Sequence, residues 1–201
     1  MFLNSNLISF SPIPPKSTAK TCLEIPTMSE IMAVSKSQGL RIQLRTFGPF
    51  FKINAAGEKG DVEVGRAEGV IRPWFGGEKI LHLDSMRMSR ATLDMDRSLF
   101  GLGLFLGAVS VRYGFDLGCK RAQLLAINDS PLYHSKLVRF YSRMGFKVVH
   151  EVDGSSIGDL VHMLVWGGRG TRMDAHIQHL LVKWSKMFKP PHDRSLYSEK
   201  S

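Results

Sequence analysis

The stretch from Ser98 to Val111, SLFGLGLFLGAVSV, carries no charge. Continued to Leu117 it has helical periodicity: Leu104, Ala108, Val111 and Phe115 form one stripe, and only Arg112 and Asp116 are charged. A helix apolar nearly all round has to be enclosed, and this run falls short of the roughly 20 residues that span a bilayer. The chain therefore has to supply a sheet that buries it. The preceding residues have the right pattern: Leu40, Ile42 and Leu44 alternate with polar neighbours, Phe50 to Ile53 follows a Gly-Pro turn, and Val62 to Trp74 and Lys79 to Met88 are further strand-like runs. Four strands are thus expected before any helix. The predicted helix from Gly103 to Leu117 ends at Gly118, and Ala122 to Ile127 follows as a strand returning by a right-handed crossover.

Further along, Ser135 to Met144 has an amphipathic pattern closed by Gly145, and Phe146 to Val152 and Leu160 to Trp166 are two more predicted strands. From Met173 to Phe188 the apolar residues Ile177, Leu180, Leu181, Trp184 and Phe188 predict a docked C-terminal helix, followed by a polar tail after Pro190 and Pro191. That helix has two possible uses: to cover an open sheet face, or to pair chains. With 43% hydrophobic and 22% charged residues among 201, the chain has enough apolar material for one core.

The net charge of +9 is concentrated at the ends: residues 1–57 carry +4 and the last 26 residues +3, leaving the centre nearly neutral. A folded nucleic-acid surface concentrates basic residues where phosphate lies, so this distribution argues against that class. Cys22 and Cys119 cannot build a disulfide framework or a zinc site, no catalytic metal is suggested, and no membrane association is expected. Residues 1–23 contain no acid, four serines, two threonines and three prolines, with Lys16 and Lys20 placed after the apolar residues. A secretory signal has the reverse order. The composition suits an organellar leader within residues 1–38. Its poverty in arginine favours a chloroplast over a mitochondrion, and an ordinary disordered N-terminus is the alternative.

Phe100-Gly101-Leu102-Gly103 is placed to open the apolar helix after a strand. At such a turn bare amides and the positive helix end attract an anion such as phosphate. Fifteen residues after Gly103 comes Gly118, then the strand RAQLLAIN, then a helix that closes with Tyr141-Ser142-Arg143-Met144-Gly145-Phe146. This order resembles the GNAT superfamily of acyl-CoA-dependent N-acyltransferases, whose signature is Q/R-x-x-G-x-G/A opening a helix, then a strand and a helix ending Y-x-x-x-G-F. The likeness runs from about Ile80 to Trp166.

The resemblance implies an α/β GNAT fold: a mixed, mostly antiparallel sheet with a central parallel crossover, here spanning 39–170, with an extra C-terminal helix and tail over 171–201. It implies acetyl-CoA as acyl donor and an amine acceptor, on a protein or a small molecule. Main-chain amides of Ser98, Leu99, Phe100, Gly101, Leu102 and Gly103 would hold the diphosphate of coenzyme A. Met86, Arg87 and Met88 would pair by backbone with its pantetheine arm where their strand splays from the next. Tyr141 matches the tyrosine that protonates the departing thiolate, and His134 stands where an asparagine commonly meets the cofactor. For the base that neutralises the amine, Asp84 and His82 are the candidates, two apart on one strand and therefore on one face.

The sequence also departs from the pattern. Ser98 occupies the usual Arg or Gln position, and Thr46 to Pro49 replaces the two helices normally found between the first two strands. If those losses disable the site, the alternative is a GNAT-fold binding or assembly module. A third reading is an adaptor that docks on an RNA-protein assembly through its basic ends.

Overall fold

The computed structural model describes residues 25–57, 62–73, 75–89, 99–152 and 168–188. The chain opens on helix α1 (Met28–Ser37), so a helix does precede the strands. Its start is set locally: the Thr27 side chain accepts from the Glu30 amide while the Glu30 carboxylate accepts from the Thr27 amide, a reciprocal capping box. Ile31 and Ser35 are buried, and Arg112 of the central helix donates to the Pro26 carbonyl at 3.0 Å. The expected leader boundary at residue 38 is therefore corrected in part: residues 25–38 belong to the folded unit, and 1–24 lie outside the described residues.

Four antiparallel strands follow: β1 (Leu40–Phe47), β2 (Phe50–Gly57), β3 (Glu63–Pro73) and β4 (Lys79–Met88). Between β1 and β2 there is only the Gly48-Pro49 turn, with Gly48 at φ +56, the positive φ that a tight hairpin asks of its first central residue. Helix α2 (Leu99–Asp116) crosses over to β5 (Cys119–Ile127), which runs parallel to β4. Helix α3 (Pro131–Met144) leads to β6 (Lys147–Val152), β7 (Gly170–His176) and helix α4 (Ile177–Phe188). The sheet order is β1-β2-β3-β4-β5-β7-β6, and β4 with β5 is its single parallel pair among the described strands. The mixed, mostly antiparallel α/β architecture expected above is the one observed.

Two expectations are corrected by this arrangement. The C-terminal helix begins at Ile177, because residues 170–176 pair with both β5 and β6 as strand β7. Filling the gap between those strands outweighs the local helical pattern. The strand expected over Leu160 to Trp166 lies outside the described residues.

Both crossovers step the same way across the sheet, so right-handed connections place α2 and α3 on the same face. The Phe140 ring of α3 packs on Gly103 of α2, as that geometry requires. Helix α4 joins them: Ile177, Leu180, Leu181, Trp184 and Phe188 are all buried. Trp184 Nε1 donates to the Met144 carbonyl at 3.0 Å and Lys183 Nζ to the Arg143 carbonyl at 2.9 Å. Those carbonyls close α3 and have no partners within the helix, so α4 completes the end of its neighbour. It neither covers the opposite sheet face nor leaves its stripe unpacked. Among the described residues no helix lies on that opposite face. There Val70 and Ile80 are buried apart from the main core, next to the buried polar side chains of His82 and Gln123.

Candidate active site

Parallel pairing of β4 with β5 runs from Lys79 opposite Cys119 to Leu83 opposite Leu124 and then stops. Beyond it, β4 continues to Met88 paired with β3 alone, and β5 continues to Ile127 paired with β7 alone. The two central strands therefore splay after Leu83, leaving a V whose facing edges share no ladder. A register shift between Glu68 and Gly69 helps to create it: Glu68 pairs with Ser85 and Gly69 with Leu83, so Asp84 is an extra residue bulged out of β4. Such a bulge bends its strand and re-aims the side chain it carries. Gly69 is needed opposite the bulge, because a Cβ there would lie 2.3 Å from the His82 carbonyl oxygen.

Asp84 thus stands at the crotch of the V. Its Oδ1 is 2.9 Å from Nε2 of His82, and the histidine is buried while the carboxylate is 43% exposed. The two candidate bases share a face and touch, with the carboxylate turned outward and the imidazole held behind it. On its outer side Asp84 opens onto a cleft of about 400 Å³ reaching to the β1–β2 turn.

The glycine turn needs correction. Helix α2 starts at Leu99, so Gly101 and Gly103 lie within it, and Ser98 lies outside the described residues. Leu99, Phe100, Gly101 and Leu102 form the first turn, where the positive end of the helix dipole lies. Gly103 is a turn further in, where its amide is used by the helix itself. A Cβ on Gly103 would meet Phe140 Cζ at 2.4 Å and Met88 Sδ at 3.4 Å. Glycine here lets α3 approach α2.

Met86 and Met88 send their side chains under α2, where Met86 Cε lies near Gly107, while Arg87 is on the opposite face beside Arg66 of β3. All three line the β4 arm of the V by their backbone. His134 meets β7: its Nε2 is 2.9 Å from Oγ1 of Thr171, and it lines a cavity of about 330 Å³ with Asn128, Glu151 and Arg169.

Tyr141 is buried in the core, its ring edge-on to Phe140 at 5.2 Å and Phe146 at 6.1 Å. Burial, with a smaller contribution from Tyr133, pushes its phenol up to about 12. The group is therefore protonated at neutral pH. A thiol is ordinarily a stronger acid than a phenol, so full transfer of that proton to a thiolate would run uphill. The chemistry open to Tyr141 is hydrogen-bond donation to a developing negative charge.

No family model matches this sequence, and no curated protein does. Solved structures similar to it include the NatC complex bound to Gag peptide and CoA, at 12% identity and TM-score 0.46 over 62% of this chain and 70% of that one. Aminoglycoside 6'-acetyltransferase type Ii is 17% identical, with TM-score 0.46 over 64% and 70%. A putative acetyltransferase of the GNAT family from Desulfovibrio desulfuricans is 17% identical, with TM-score 0.45 over 65% and 70%.

Proposed function

We propose that the chain is an acyl-CoA-dependent N-acyltransferase of the GNAT type, using acetyl-CoA and an amine acceptor. The observation that carries this reading is the V between β4 and β5 with Asp84 at its crotch. Unpaired strand edges can offer backbone groups to the amide-bearing arm of the donor, and the first turn of α2 can offer amides and dipole to its diphosphate. Asp84, held by His82, takes the proton of the ammonium. The freed amine nitrogen bonds to the thioester carbonyl carbon, the nitrogen releases its second proton to solvent, the carbon–sulfur bond breaks, and Tyr141 donates a hydrogen bond to the leaving sulfur, which takes a proton from solvent. The composition of residues 1–23 supports import into a plastid, with the mitochondrion as the alternative.

The burial of Tyr141 and the Phe140 contact at Gly103 favour one second reading, a binding module on the same fold without turnover. Calorimetry of the purified protein with acetyl-CoA, followed by thiol release on adding amines, separates the two. Saturable binding with release establishes the transferase, binding without release the module, and no binding removes both.

A further inference from the structure

The cleft outside Asp84 is lined by Arg45, Phe47, Phe50, Lys52, Glu68 and Asp84. Its outer end is the β1–β2 turn, where Phe47 and Phe50 form the last cross-strand pair and are 85% and 56% exposed. Two large aromatic side chains held this far into solvent on a tight turn are costly unless something apolar covers them. The inner end is the carboxylate.

Charge narrows what can lie between. Glu68 is already occupied, 3.0 Å from Lys52 and 3.8 Å from Arg66. Arg45 makes no ion pair among the described residues and adds a cation midway along the cleft. Among the described residues Asp84 is therefore the one lining carboxylate not matched by a lysine or arginine, and a second ammonium on the ligand would face Arg45 and Lys52. Polycationic amines are disfavoured by that lining.

We infer that the acceptor is a primary amine with a single positive charge on an apolar body, its ammonium on Asp84 and its body against Phe47 and Phe50. This rests on the acyltransferase reading, with the specificity located on the hairpin that replaces the missing helices. The chemistry is shared by free arylalkyl or alkyl amines and by a polypeptide chain end starting with a large apolar residue.

The test is equilibrium binding to the full chain, by calorimetry or ligand-observed NMR. The probes are 2-phenylethylamine, spermidine, and a short C-terminally amidated peptide beginning with leucine and free of charged side chains, with its N-acetylated form as control. At least one of the two monocationic probes should bind roughly tenfold or more tighter than spermidine, and which of them does identifies the source. Loss of a well-covered aromatic contact should weaken that probe roughly tenfold in Phe47→Ala or Phe50→Ala. Asp84→Asn should weaken it as well. Tighter spermidine binding, unchanged affinity in both phenylalanine variants, or equal binding of the acetylated peptide would overturn the inference. Acetyl-CoA titrated in parallel separates the two claims. Donor binding without any amine binding defeats this inference and spares the transferase, whereas amine binding of the stated pattern without donor binding does the opposite.

Discussion

A methyl group added at Gly103 would sit 2.4 Å from Cζ of Phe140, a distance that carbon atoms do not share. Gly103→Ala gains about 1 kcal/mol of helix propensity but forces the Phe140 ring out of its contacts with Phe100 and Tyr141, at about 1–3 kcal/mol. The expected net result is destabilisation of about 1 kcal/mol in urea unfolding, relieved when Phe140→Leu is added. If Gly103→Ala were neutral or stabilising, the close approach would not be the reason for the glycine. At Tyr141 the prediction concerns rate. Tyr141→Phe keeps the buried ring and removes the donor, so turnover should fall on the order of a hundredfold while acetyl-CoA affinity stands. Equal rates would leave Tyr141 with packing alone. Both glycines and the tyrosine stand out in the sequence by type and spacing, but their surroundings do not: a turn glycine and a helix-contact glycine are the same letter.

The helices and strands differ in how much of themselves was legible. Helix α2 was plain because its apolar residues leave it nowhere to go but the core, although it begins at Leu99, ahead of the expected Gly103. Helix α1 was missed even though T-x-x-E stands at Thr27 to Glu30, since the surrounding composition belongs to the leader-like stretch. Thr27→Ala removes the capping hydroxyl and should cost about 1 kcal/mol in thermal or urea unfolding, with Thr27→Ser close to wild type. A cost near zero would mean that packing of Ile31 alone sets the helix start. Strand β7 was hidden inside an apparent helix, because residues 173–176 continue the apolar spacing of α4 and only the partners on either side make them a strand.

For the molecule as a whole, two buried groups on different elements give the fold an alkaline limit. Burial raises the Tyr141 phenol to about 12 and the Cys119 thiol to about 11, against ordinary values of 10.0 and 9.0. Each is kept protonated by the fold, so above pH 9 the unfolded chain holds fewer protons than the folded one. Stability from these groups is complete below pH 9 and is lost as pH rises through 11 to 12. Tyr141 alone accounts for roughly 2–3 kcal/mol over that range. The urea midpoint should therefore fall between pH 8 and pH 11, and by less in Tyr141→Phe; a flat midpoint would show that neither group is held neutral by burial.

Periodicity and chain order in the sequence determined that an apolar helix crosses between central strands and that a tight Gly-Pro hairpin joins the first two strands. These are local properties, set by which side chains recur on one side of an element. Which carboxylate reaches solvent, where β4 parts from β5, and why Gly103 is glycine were decided only in three dimensions. Each depends on residues far apart in the chain: the bulge at Asp84 on Glu68 and Gly69, the contact at Gly103 on Phe140. Such pairings have energies that exist only once the partners meet.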